Sequence, residues 1–241
     1  MNVVILQPSY IPWRGYFHQI LKSDLFIFYD DVQYDKHGWR NRNRIKTSNG
    51  SQWITIPVIS AGAIASSTPI DHIKIDWSRN WNEKHWSMIC QSYSKSPFFN
   101  LYKDWIHDYY KSKPHFLADF TIALTIDIAR HLGLSKVQFM RSSQMKGITG
   151  IKTDRLVQIL KIVGGTHYIS GPSARDYVEE SKFKDAKITL EYMSYDYPEY
   201  PQRFLPFDPQ LSILDLMFNT GPDALKYMNS NFDSFGNNQG H

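Results

Sequence analysis

Residues 29–46 read YDDVQYDKHGWRNRNRIK, and side chains capable of chemistry are crowded into them. Asp30 and Asp31 close the apolar run LFIFY. A carboxylate there can act as general base, orient a hydroxyl or hold a divalent cation. Successive strand side chains face opposite ways, so at most one of the two turns to a site while the other caps or pairs locally. Asp31 is the first candidate for a base and Asp30 the second; a turn carrying solvated aspartates is the plain alternative. A resident metal needs further oxygen ligands that the sequence does not supply, so no metal ligand is assigned and the cofactor stays open.

Nine residues on, Arg40, Arg42, Arg44 and Lys46 alternate with Asn41, Asn43 and Ile45. An extended chain lines the four cations along one face. Arginine's planar fork suits phosphate or carboxylate, whereas a solvated edge strand carries such charges only to prevent aggregation. Trp39 beside the cations offers a ring to stack on a base or sugar, and Asn41 and Asn43 put amides on the opposite face. These features favour an anion-binding wall, with Gln33 counted among its polar groups.

Two further clusters carry polar and aromatic types. Gln7, Tyr10, Trp13 and Arg14 sit in a loop braced by Pro8 and Pro12 that leads into a helix. Helix N-termini attract anions, although no glycine-rich phosphate loop is present. Ser170 and Gly171 open the junction SGPS, whose backbone amides can cradle a phosphate. Ser170 lacks the flanking pattern of a nucleophile elbow. The nine histidines are scattered, and His85 and Cys90 stand at a spacing that does not face two side chains together on a helix.

What positions these clusters is a strand–turn–helix alternation. Residues 3–6 form a short apolar run ended by Gln7-Pro8. Trp13, Tyr16, Phe17, Ile20 and Leu21 then recur at helical spacing, and LFIFY is a second strand. Strand, helix, strand is the outline of a βαβ unit. WITIPV and residues 73–75 are further strand candidates. Residues 81–132 are patterned as helices, broken near Ser96-Pro97 and Lys113-Pro114, with the last ended by Gly133. Residues 137–140 resume strand character. KTDRLVQILKIVGG is a helix with Thr153 as its N-cap, THYISG and KITLEYM are strands, and PSARDYVEE is a short helix between them. A proline- and tyrosine-rich stretch, YDYPEYPQRFLPFDPQ, reads as a lid, a partner surface or a packing strap, and LSILDLMFN is a last helix. The expected fold is α/β, a largely parallel sheet of βαβ units with a helical region at about 81–133, in a single domain over 1–236 with a flexible tail at 237–241. In such sheets ligands bind beyond the carboxyl ends of the strands. If the strands are parallel neighbours, that rule brings all three clusters to one edge.

Composition sets the outer limits. The chain has 241 residues, 42% of them hydrophobic and 15% aromatic, enough for a real core. Its one cysteine excludes an internal disulfide and a thiolate zinc site and points to a reducing compartment. No apolar run approaches the ~20 residues of a bilayer span, and no signal peptide is visible. A cytoplasmic protein is expected. The net charge of +4 permits an anionic ligand, and the dispersed lysines and arginines speak against nucleic acid.

Taken together, QPSYIPWRGYFHQI, DDVQYDKHGWRNRNRIK, WITIPV, KTDRLVQIL, THYISGPSARDY and LSILDLMFNTGP resemble the WbqC-like family of bacterial proteins, over about residues 3–224. Trp39, Arg40, Asn41, Arg42 and Asn43 match that family's tryptophan-arginine-asparagine block in full. Leu6 stands where the family commonly has histidine, so any chemistry of that histidine would pass to another group such as Asp31. The resemblance implies a role in O-antigen and other surface-polysaccharide (lipopolysaccharide) assembly, on a nucleotide-activated sugar. The first expectation is a transferase moving an acyl or aminoacyl group onto an amino sugar. Arg40 and Arg42 would clamp the diphosphate, Trp39 or Trp13 would stack on a ring, and Asp31 would be the base. A nucleotidyltransferase-like enzyme and a non-catalytic binding or scaffold protein are the alternatives.

Overall fold

The computed structural model describes residues 1–59 and 67–228. The expected flexible tail at 237–241 lies outside these residues. Five parallel strands form the central sheet: β1 (Asn2–Leu6), β2 (Leu25–Phe28), β5 (Gln138–Arg141), β6 (His167–Ser170) and β7 (Thr189–Tyr192), in the order β5-β2-β1-β6-β7. β1 is the central strand, pairing Val4 with Phe26 on one side and with Ile169 on the other. Its VVI run is buried on both faces, which is why it reads as continuous apolar sequence rather than alternation.

Strand parity divides the core. Val4, Phe26, Phe28 and Ile169 face one layer, holding α1 (Arg14–Lys22), α2 (Trp81–Tyr93), α3 (Phe99–Lys111), α4 (Leu117–His131) and α7 (Ile213–Thr220). Val3, Ile5, Leu25, Ile27 and Tyr168 face the other, holding α5 (Lys152–Val163) and α6 (Glu180–Asp185). The crossover helices α1 and α5 therefore cover opposite faces, and the chain winds outward from β1 in both directions. That makes the gap between β1 and β6 a topological switch point.

β3 (Arg42–Thr47) and β4 (Gly50–Thr55) form a separate antiparallel hairpin. The strand expected from WITIPV stops before Pro57, which has no N–H to donate. Residues 73–75 make only single bridges, Lys74 to Phe116 and Ile75 to Val58, after a 3-10 turn at Ile70–His72. The three helices of 81–132 break at the two prolines as expected, and Gly133 follows the last with a φ of 84°. Thr153 is not the N-cap of α5. That position is Ile151, and the Thr153 hydroxyl accepts from the Glu179 N–H (3.1 Å), tying α5 to the approach of α6. PSARDYVEE is a 3-10 turn at Pro172–Asp176, with α6 starting only at Glu180. No helix among the described residues is long and apolar enough to cross a membrane.

Candidate functional site

All three loop clusters leave the carboxyl edge of the sheet, after β1, β2 and β6. A cavity of about 380 Å³ opens at this edge, walled by Leu6, Gln7 and Ser9 from the loop after β1 and by Gly171, Pro172 and Ser173 from the loop after β6. It lies at the switch point. α1 adds Tyr16 and Gln19, which share a helix face at i, i+3. The approach to the hairpin adds Trp39, Arg40 and Asn43, and residues 193–212 add Tyr195 and Gln210.

The loop after β1 is held by the hairpin. Asn43 Nδ2 donates to the carbonyls of Tyr10 (3.0 Å) and Ile11 (2.8 Å), and the Tyr10 N–H donates to the Trp39 carbonyl (3.2 Å). Ile11 sits at a φ of 37°, uncommon for a β-branched residue. The asparagine amide secures the carbonyls on either side of that bend. From the other direction, the Ile213 N–H donates to the Pro12 carbonyl (2.9 Å) and the Ser212 N–H to the Arg44 carbonyl (2.9 Å). The proline- and tyrosine-rich stretch packs back as a strap, its Pro198 and Pro206 carbonyls accepting from Arg14 and Lys46, and Gln210 reaches the cavity along it.

Arg40 carries the only formal charge among the described residues lining the cavity. Its Nη1 donates to the Pro8 carbonyl at a long 3.4 Å, while its Nε is closed off from solvent and donates to nothing. Burial pushes its guanidinium below arginine's ordinary value, against the opposing pull of Tyr16, Asp35 and Tyr34. Rings surround it. Trp13 packs edge-on against Tyr195 (5.0 Å between centroids), and Trp39 lies 5.2 Å from Trp53 on β4, both of these indoles partly exposed. Tyr16 donates its hydroxyl to the Gln7 carbonyl (3.2 Å), and burial raises its pKa far above a free tyrosine's.

The other cations of the block are engaged within the protein. Arg42 donates to the carbonyls of Gly38 (3.3 Å) and His37 and lies over the Trp53 ring. Arg44 pairs with Asp208 (3.4 Å), and the Lys46 ammonium is buried against the Pro206 carbonyl. The alternating cations therefore do not make one anion-binding wall; Arg40 alone lines the cavity. Asn41 is buried outside the cavity wall, its Nδ2 donating to the Ile56 carbonyl (2.8 Å). Arg14 is buried, donates to the carbonyls of Pro198 (2.8 Å) and Tyr227 (3.1 Å) and stacks on Tyr197. Tyr10 is wholly buried, bonded to Tyr110 and His85. Ser170 is buried and turned to the Tyr168 hydroxyl (3.4 Å), and Gln33 is exposed beside Pro69.

Asp30 and Asp31 are outside the cavity wall. Asp30 has no exposed side-chain surface; it accepts from Arg141 (2.6 Å), from the Ser143 N–H (2.9 Å) and from the Ser143 hydroxyl (2.9 Å). Asp31 accepts from the Ser142 hydroxyl and from Arg155. The pair clamps the end of β2 to β5 and α5. No group of three or more His, Cys, Asp or Glu side chains among the described residues is arranged to hold a metal ion.

Of the groups named from the sequence, Gln7, Trp13, Trp39, Arg40, Asn43 and Gly171 meet at the cavity. Sequence reasoning passed over Tyr16, Gln19, Tyr195 and Gln210. The spacing Trp13, Tyr16, Gln19 along one face of the first helix was a usable signal for two of them. The strap residues had none, because their position depends on where a chain without regular structure returns.

No solved structure matches the chain. It is 41% identical over 229 residues to the "Uncharacterized protein Rv1507c" of Mycobacterium tuberculosis, an alignment covering 94% of this chain and 97% of that protein. The profile of the WbqC-like protein family matches residues 7–227, which span the loop after β1, the hairpin, the loop after β6 and the strap. The chain belongs to the WbqC-like protein family.

Proposed function

We propose that the cavity binds a nucleotide-activated sugar and that the protein is a transferase acting on it, moving an acyl or aminoacyl group onto the sugar. The observation that carries the binding half of this reading is Arg40: a guanidinium without a carboxylate partner among the described residues, its Nε enclosed and unused, on the wall of a cavity lined by aromatic rings. An anionic oxygen entering the cavity would meet a guanidinium that no carboxylate of the described residues neutralises. Trp13, Trp39 and Tyr16 supply faces for a base or sugar, and the volume falls within the ~300–1,000 Å³ of small-molecule sites. Cytoplasmic surface-polysaccharide assembly is the setting that the sequence resemblance suggests.

No carboxylate or imidazole lines the cavity among the described residues. The reading therefore gives the wall the work of orientation and charge neutralisation. Asp31, committed to Arg155 and Ser142, is not assigned as the base.

The test is calorimetric titration and thermal shift of the purified protein with nucleoside diphosphates, their sugars and inorganic pyrophosphate. A ligand at ~100 times its Kd adds ~2.7 kcal/mol to stability. Arg40→Ala is expected to weaken binding of the anionic probes ~10- to 100-fold. Binding that is indifferent to Arg40, or no binding of any of these probes, would overturn the reading. Release of the acyl donor's carrier on mixing with a bound sugar nucleotide would support the transferase half; binding without turnover against acyl and aminoacyl donors would leave a binding protein.

A further inference from the structure

We propose that Gln19 and Tyr195 form a neutral subsite in the same cavity that reads a ring hydroxyl or amide N–H of the ligand whose anionic group meets Arg40. This inference rests on the ligand reading above and extends it by giving the ligand a direction.

Gln19 is 4% exposed and lines the cavity from α1. Its Nε2 donates to the Tyr195 hydroxyl at 2.7 Å, and that bond orients the amide. The other amide atom, Oε1, is shielded from solvent and accepts from nothing. A buried acceptor without a donor is costly, so a donor supplied from the cavity is strongly favoured there. Tyr195, having accepted from Gln19, keeps its own hydrogen, and its hydroxyl has no acceptor among the described residues. Burial raises its pKa to about 12, so at neutral pH it remains an O–H donor. Acceptor and donor thus stand side by side.

Neither group is charged. A phosphate offered to this end would bring its oxygens against the Gln19 carbonyl, which repels them, whereas a sugar hydroxyl can both donate and accept. Gly171 borders the pair: a Cβ on it would stand in ordinary contact, 3.5 Å, with the Tyr195 hydroxyl oxygen. Trp13 packs against the Tyr195 ring and holds it in place. With Arg40 reaching the wall from the hairpin side and Gln19 and Tyr195 from α1 and the strap, the ligand has an anionic end and a polyol or amide end.

The experiment is titration calorimetry of the full chain, wild type, Tyr195→Phe and Gln19→Leu, with uridine diphosphate, UDP-glucose and UDP-N-acetylglucosamine, and with the thymidine counterparts. The wild type is expected to prefer a sugar-bearing nucleotide over its diphosphate. Each variant should lose roughly 3- to 10-fold of that preference while binding the diphosphate within about 2-fold of wild type. A preference unchanged in both variants, an equal loss for both ligand types, or no preference in the wild type would overturn the inference while leaving the cavity reading in place. Failure of the wild type to bind any of these nucleotides would sink the cavity reading and this inference with it. Tyr195→Phe keeps the packed ring, so it carries the test if Gln19→Leu does not fold.

Discussion

Asp215 shows how a single buried charge writes itself into pH dependence. It has no exposed surface on α7, accepts from the Tyr200 hydroxyl (2.8 Å), and has one oxygen, Oδ1, without a partner. Burial raises its pKa from 3.8 to about 6, with the Tyr200 and Tyr93 hydroxyls and the charge of Lys46 pulling the other way and Asp208 adding to the rise. An acid whose folded pKa lies above its unfolded one binds protons more tightly when folded. Stability is therefore highest below the unfolded value and falls as pH rises through the interval up to about 6, by about 3 kcal/mol in all. Above that interval this contribution is constant. Asp215→Asn is expected to flatten that part of the curve, read as Tm against pH from 3.5 to 7.5. A slope that persists undiminished in the variant would show that other groups set it. Arg40 differs in kind: it lines the cavity, and no carboxylate pairs with it among the described residues.

At the scale of elements, the first turn of α1 is where fold and site meet. A Cβ on Gly15 would sit 2.3 Å from the Trp13 ring, so the missing side chain lets the indole lie back over the helix and form cavity wall. Gly15→Ala is expected to displace that indole. Alanine is the better helix former by about 1 kcal/mol, which offsets part of the lost packing. The variant should therefore keep a near-normal Tm and weaken ligand binding ~3- to 10-fold, about 1 kcal/mol of lost ring contact. A large fall in Tm with affinity retained would mean that the indole serves the fold and not the cavity. The end of β2 has the opposite character. Asp30 and Asp31, the chemically suggestive pair, are committed to Arg141, Arg155 and the serines after β5, and so secure the sheet edge that carries the loops.

Across the whole molecule, one apolar cluster joins the sheet to the helical layer: Val4 and Phe26 share it with Ile89, Ile106, Leu124 and Phe218. Tyr10 bridges the same parts through polar contacts, since its hydroxyl meets His85 of α2 and Tyr110 of α3. Burial lowers the His85 pKa to about 4, so the imidazole is neutral at physiological pH and fits that apolar setting. Sheet and helical layer are expected to unfold together, with far-UV and near-UV signals coincident in denaturant. Tyr10→Phe should lower stability by about 1–3 kcal/mol, the cost of leaving two buried partners short of a bond, and move both midpoints together. Separate transitions would show that the helical layer is an independent unit.

Local chemistry made much of this fold legible in sequence. Short, unbroken apolar runs become buried parallel strands because both faces of the sheet are covered, and prolines end the helices of 81–132 because they cannot continue the hydrogen-bond ladder. The rule that ligands gather beyond parallel strand ends then pointed to the loops after β1, β2 and β6, which hold Gln7, Trp13, Arg40 and Gly171 as well as the aspartates that stay outside the cavity wall. Which charges would be free was not legible. Arg40, Arg42, Arg44 and Lys46 read alike in sequence, yet three of them are engaged by carbonyls or by Asp208, partners up to 166 residues away. Asp30 and Asp31 meet arginines more than 100 residues on. Tyr195 and Gln210 enter the cavity only because the strap packs back beside the loop after β1. Periodicity and turn chemistry act over a few residues and survive in the sequence; the pairing of a charge is decided by what the tertiary fold brings within 3 Å of it.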